Sequence, residues 1–467
     1  MTRFSHRART VAAIAVLAIV PLASACNFKD QLLQPQQPGL ILPTDVSGQA
    51  GADALYLGAL GRLKAWTVGG NVNQEAMFPM MSLMTDEYKS SDTFSQRNET
   101  DQRSVQTNDA LVQSVYTQAQ QGRGYARDAL NTMLAVEPDA KGKIAEMYFA
   151  LGFAETILGE VYCNGIPLGE MKDGQPIYTA PLPSTDALKV ALAHFDSALT
   201  LAAAAKAPPG TAADTVIAAN VRNAASIAKG RVLVDLGQYA TAATAVASVA
   251  TAYQYVETFA QTSQDNGFWI MTTNSQRYSV GDSADATGTI KNALPFASAG
   301  DPRVPSAKNT LKPFDNQTLP YFVQTMFGRD DAMALLDGLD ARLIEAEAKL
   351  NAADYTGMMT ILNALRTAPP TQGIFKPAAL AAITTTPATK DAAVTLFFRE
   401  KAFWQFSRGY RFGDLRRLVR QYGRPSDQVW ASGTFHKGGV YGPDVNWPVT
   451  DNEKTNPNFA GCIDRSA

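Results

Sequence analysis

The stretch LFFREKAFWQFSRGYRFGDLRRL, Leu396 to Leu418, poses the question on which the fold turns. Seven aromatic residues (Phe397, Phe398, Phe403, Trp404, Phe406, Tyr410, Phe412) are interleaved with six basic ones (Arg399, Lys401, Arg408, Arg411, Arg416, Arg417), and only Glu400 and Asp414 oppose them. Such a mixture is either a surface for a polyanion or an interior with paired guanidinium groups. A polyanion surface needs a net basic face, whereas the chain carries a formal charge of −2, so no nucleic-acid partner follows. Asp391 is placed to cap a helix running to about Ser407, Gly409 to end it, and a second helix carries RFGDLRRLVR. Aromatics fall on more than one face of the first helix, so both faces must be covered. The arginines are then expected to pair internally with Glu345, Glu347, Glu400 and Asp414. The stretch reads as the inside of something.

A chain of 467 residues is large enough for one two-lobed unit or two intimately packed domains. Helical periodicity dominates to about residue 250, with Ser47 as a cap for the first helix. Leu233, Leu236, Gly237 and Tyr239, followed by an Ala-rich segment, read as a tetratricopeptide-type helix hairpin bent at Gly237. A second such hairpin is expected around Leu343, Ala346, Leu350, Tyr355, Ile361 and Leu365. Residues 261–329 are instead rich in Gly, Pro, Asn, Asp and Thr with scattered aromatics, and a connection that long is usually functional. The fold class expected is mainly α, with helical hairpins over about 47–250 and 330–420 scaffolding a loop-rich lobe over about 261–329 and 421–467.

The amino terminus is an export signal: Arg3, Arg7 and Arg9 precede the apolar run VAAIAVLAIVPL and the small residues ASA. That run is short of the roughly 20 residues needed to span a bilayer, and no later segment reads as a span. LASAC, ending at Cys26, resembles the bacterial lipobox, with Ala23 where Leu is usual and Leu22 one step earlier. Residues 1–25 are then a lipoprotein leader, Cys26 the acylated anchor, and 26–42, with Pro35 and Pro38, an extended tether to a body beginning near Pro43. Simple secretion with an unmodified Cys26 is the alternative. Loss of the leader removes three arginines and no acid, taking the net charge from −2 to −5.

Catalytic and metal chemistry is sparse. His6 falls in the leader, and His194 and His436 share no ligand spacing with each other or with cysteines, so no metal or other cofactor is expected. Phosphate loops, nucleophile elbows and dinucleotide fingerprints are absent. Asp86-Glu87 and Asp330-Asp331 could serve acid and base on a glycosidic bond, but adjacent carboxylates are more often caps or ion-pair partners. Binding is favoured over catalysis.

FREKAFWQFSRGYRFGDLRR resembles the signature of the SusD/RagB family of outer-membrane nutrient-uptake lipoproteins, through Arg399, Glu400, Gly409, Arg411, Asp414, Leu415 and Arg417. It departs at Arg408, where many members have Glu. TDEY at 85–88, YFALGFAETILGEVYCNGIPL at 148–168, DPR at 301–303, RLIEAEAKL at 342–350 and NWPVTDNEKTNPNF at 446–459 are similar in the same order. The resemblance implies tetratricopeptide-like hairpins and no reaction catalysed. It implies a lipid-anchored lid on a TonB-dependent, SusC-like barrel transporter in the outer membrane, capturing an oligosaccharide, glycan or peptide. A helical-repeat envelope scaffold without a nutrient ligand is the alternative.

Two further readings concern single residues. Cys163 and Cys462 would both face an oxidising compartment and are expected to pair, stapling a tail with little apolar content; two free thiols, one buried and one exposed, are the alternative. Sugars present flat C–H faces to aromatic rings and hydroxyls to amides and guanidinium groups. NGFWIMTTNSQRY supplies Trp269 and Tyr278 as platforms with Asn274 and Arg277 as polar partners, and TDEYKSSDTF adds Tyr88 and Phe94. Trp269 as a plain core residue is the competing reading.

Overall fold

The computed structural model describes residues 48–70, 75–172, 175–309 and 312–467; the leader, Cys26, the tether, Pro43 and the cap Ser47 lie outside them. The periodic stretches of the first half become α1 (Gly48–Thr67), α2 (Met77–Met84), α3 (Ser95–Asp101), α4 (Ala110–Val136), α5 (Lys141–Val161), α6 (Ser184–Ala204), α7 (Ala212–Asp235) and α8 (Tyr239–Val246). The second half adds α9 (Gly338–Asn351), α10 (Tyr355–Thr367), α11 (Lys390–Trp404) and α12 (Arg411–Arg420). Asp109 caps α4 by accepting from Leu111 N and Val112 N, Thr211 caps α7, Asp354 caps α10, and Asp337 with Asp340 forms a capping box on α9.

These helices pack in sequence: α1 on α4, α4 on α5, α5 on α6, α6 on α7, then α7–α8, α8–α9 and α9–α10. The two expected hairpins are α7–α8, turning through Gly237, and α9–α10. Nearly every residue of α5 is buried. Close approach of α6 depends on Gly152, where a Cβ would stand 2.8 Å from the Phe195 ring. By length and composition α6 is apolar enough to cross a membrane, contrary to the reading above that no later segment is. Its apolar stripe, Ala187, Leu188, Ala191, Phe195, Ala198 and Ala202, is buried in the stack.

All seven aromatics of the 396–418 stretch are buried. Helix α11 is shorter than expected: Thr389, not Asp391, caps it through Ala392 N, and it ends at Trp404. Asp391 is exposed and pairs with Arg424. The chain then turns through Ser407 and Gly409, both at positive φ, and a Cβ on Gly409 would lie 2.5 Å from the Phe78 ring. Glycine is required there on both counts.

Helix α12 packs on α2 and on α5, joining lobe and stack. Its Arg416 donates Nη1 to the carbonyls of Gly159 (3.3 Å), Glu160 (2.7 Å) and Tyr162 (3.0 Å), satisfying the C-terminal end of α5. Arg417 binds Glu347 of α9, Asp235 of α7 and its own Asp414, which Lys401 also holds at 2.6 Å. Glu400 takes Arg303 and Arg366. Glu345 does not join this network; it pairs with Arg342. Arg408, the departure from the family pattern, is bonded to Asp340 at 2.8 and 3.0 Å.

The remaining elements are short helical segments and short antiparallel pairs, among them Tyr88–Ser90 with Tyr278–Val280, Ser306–Lys308 with Phe322–Gln324, and Gln254–Glu257 with Met333–Asp337. The carboxyl-terminal tail lies beside the end of α5. Cys163 and Cys462 are bonded there, with Cα atoms 5.9 Å apart, and Asn164 Nδ2 donates to Asp464.

Candidate functional site

Strand Tyr88–Ser90 pairs with Tyr278–Val280 in a register that sets Ser90 opposite Tyr278. The segments leaving this pair are laced together by main-chain bonds: Ser91 N to Arg277 O (2.8 Å), Phe314 N to Gln276 O (3.0 Å) and Asp315 N to Ser91 O (3.0 Å). Three chain segments far apart in sequence thus meet at one face, and a fourth joins them through two side chains. His436 Nε2 donates to the Ser90 carbonyl at 2.9 Å, and burial pushes the pKa of the ring down to about 4. Lys437 donates to Asp92 O and pairs with Asp315 at 2.7 Å.

On this face the Arg277 guanidinium sits between two phenyl rings, 3.9 Å from the Phe314 centroid and 5.1 Å from that of Phe94. Phe94 is 49% exposed and Phe314 41%, whereas the other phenylalanines among the described residues are largely buried. Arg277 is held from below by both Asp92 oxygens, each at 2.8 Å. Burial of Asp92 opposes its ionisation, but the bonds from Arg277 and the charge of Arg97 outweigh it and hold the carboxyl below the usual range. Arg97 continues inward to Glu75 (2.6 and 3.0 Å), and Glu75 accepts from the Tyr278 hydroxyl. A buried polar chain, Tyr278–Glu75–Arg97–Asp92–Arg277, therefore fixes the exposed stack.

The structure divides the residues expected at the site. Phe94 and Arg277 come together on the exposed face. Tyr278 and Tyr88 carry no accessible ring face and are corrected to core: Tyr278 points to Glu75, and Tyr88 bonds Ser407 at 2.8 Å and stacks on Phe268. Burial pushes both hydroxyls well above their ordinary pKa. Trp269 is half-buried against the main core, with Arg329 over its ring at 5.6 Å, in a separate stack; Asn274 is exposed at the end of the same helical segment. Phe314, Asp92 and Lys437 were missed. The one available signal was an aromatic in the Pro- and Asn-rich run KPFDNQT.

The carboxylate pairs weighed as acid and base are placed unlike a catalytic pair. Asp86 and Glu87 are buried, and burial raises the Glu87 carboxyl to about 7 despite the nearby Arg411 charge. Asp331 accepts from Gly328 N at 2.7 Å as a turn partner.

No protein-family model matches this chain, and no curated protein is similar to it in sequence. Solved structures are similar in fold. A SusD-like carbohydrate binding protein from Bacteroides fragilis superposes with a TM-score of 0.59 at 12% identity, over 88% of this chain and 98% of its own. A SusD superfamily protein from the same species gives 0.59 at 14% identity, over 89% and 99%. A laminarin binding SusD-like protein gives 0.58 at 14%, over 89% and 99%.

Proposed function

We propose that this chain, which has the SusD fold, is a carbohydrate-binding lipoprotein of the outer membrane that catalyses no reaction and hands its ligand to a TonB-dependent, SusC-like transporter. The observation that carries the reading is the exposed Phe94–Arg277–Phe314 stack. Two ring faces offer apolar area to the C–H face of a sugar, and a fixed guanidinium offers donors to its hydroxyls. Trp269 and Asn274 extend the polar and aromatic surface of the same lobe. A ligand-free scaffold has no use for two half-exposed phenylalanines held by a buried ionic chain.

Sugar-binding fits the similar structures, two of which are described as binding carbohydrate or laminarin. The lipid anchor rests on Cys26 and the leader before it. The direct test is a glycan array, with laminarin among the probes, followed by titration of the best ligand against Phe94→Ala/Phe314→Ala. Binding should weaken about tenfold or more in the double variant, with the melting temperature unchanged. Full-strength binding by that variant, or an array that yields peptides and no glycan, would overturn the proposal. The anchor and partner are checked by fatty-acid labelling, which should mark wild type and not Cys26→Ser, and by co-purification of a barrel transporter.

A further inference from the structure

A cleft of about 240 Å³ lies away from this stack, between α4 and the hairpin Glu170–Lys172/Gln175–Ile177, with Glu453 and Asn456 on its third side. Its floor is one stripe of α4, from Gln120 through Gly124 to Asp128. Floor and roof are locked together: Arg123 donates to Glu155 (3.1 Å) and to the carbonyls of Leu168 (3.1 Å) and Gly169 (3.2 Å), and Arg127 pairs with Glu170. The cleft is therefore preformed.

Two large apolar side chains of the hairpin and the tyrosine that follows it line the cleft while staying open to solvent: Met171 at 55%, Ile177 at 40% and Tyr178 at 41%. Contiguous exposure of this kind marks a contact surface. The polar groups beside it have spare capacity. Among the described residues, the Asp128 carboxylate, the Tyr178 hydroxyl and the Asn456 amide nitrogen make no hydrogen bond, while Glu453 engages Tyr116 through Oε1 (2.7 Å) and leaves Oε2 open. At Gly124 a Cβ would meet nothing within 4 Å, so a poor helix former in the middle of a 27-residue helix keeps the floor open.

We propose that this cleft is a second carbohydrate subsite, sized for one sugar ring, in which Tyr178 and Ile177 receive the C–H face and Asp128 and Asn456 the hydroxyls. The choice of a sugar over a peptide side chain rests on the carbohydrate reading above. A neutral ring also matches acceptors and donors arranged around an ion pair, Arg127–Glu170, that is already satisfied.

The experiment is saturation-transfer NMR with methyl glycosides of glucose, galactose, mannose and N-acetylglucosamine on the folded chain. Transfer to at least one glycoside should persist in Phe94→Ala/Phe314→Ala and be lost in Gly124→Leu, a change that fills the cleft and favours the helix. Circular dichroism melts verify that Gly124→Leu is folded, and Tyr178→Ala provides a second, surface-only disruption with the same expected loss. Transfer that survives both cleft variants, or that is abolished only by the stack variant, overturns the subsite while leaving the proposed function intact. Cleft-dependent binding of a Lys-containing peptide with no glycoside transfer overturns it in favour of a peptide site. Absence of any glycan binding at either place overturns both.

Discussion

The helical stack and the Phe94–Arg277–Phe314 face are built by opposite means. In the stack each helix buries an apolar stripe on a neighbour, most packed pairs are close in sequence, and ionic groups are densest where α11 and α12 cross it, beside single pairs such as Arg123–Glu155 between α4 and α5. At the exposed face, segments near residues 92, 277, 314 and 437 are joined by polar bonds spanning up to 346 positions. The first arrangement sums many small burial terms and tolerates change locally. The second places a few groups rigidly, at the cost of dependence on each bond. Changes in one region should thus move stability and changes in the other affinity.

The largest effect is expected where α12 meets the stack. Arg417→Ala strips the buried carboxylates Glu347, Asp235 and Asp414 of a shared partner, and should cost about 3–5 kcal/mol in urea unfolding. A loss below about 1 kcal/mol would mean that the ionic crossing adds nothing to the stack. Next comes the tail: Cys462→Ser opens a 299-residue separation closed by the bridge and should cost about 2–4 kcal/mol, and peptide mapping without reduction should recover the Cys163–Cys462 pair.

A pH effect follows from Glu257, buried against Thr67 at the end of α1. Burial raises its carboxyl to about 7, against the Thr67 hydroxyl and the Lys64 charge. The folded pKa lies above the unfolded one, so the native form keeps a proton that the unfolded chain has lost. The stabilisation is full below about pH 4.5 and is lost as pH rises through about 7. Glu257→Gln, which cannot ionise, should remove about 2 kcal/mol of the wild-type decline between pH 5 and pH 8. An unchanged decline would assign it to other groups. The smallest effect belongs to the exposed face: Arg277→Met should weaken glycan binding by about threefold while leaving the melting curve in place. A lowered melting temperature instead would show that the lobe shares the energetics of the stack.

Legibility in the sequence followed the same division. Apolar spacing marks α7–α8 and α9–α10, and the crowding of aromatics with arginines marks 396–418 as interior, because both are local patterns. Boundaries slipped: Asp391 reads as the cap, whereas the structure uses Thr389, two residues earlier. At the lobe the sequence could not separate Tyr88 and Tyr278 from Phe94. All three are aromatics among polar residues, but the two tyrosines have hydroxyl partners at Ser407 and Glu75, 319 and 203 positions away. Nothing local encodes that distance. Phe314 was hidden for the same reason, since its value lies in facing Arg277.

Under the proposed function, the Arg277 guanidinium between Phe94 and Phe314 would keep a sugar from being clasped between the rings, so that a glycan would lie across them. On that reading the middle of a polymer should be gripped as readily as its termini, so that long and short homologues of one glycan compete equally per binding unit.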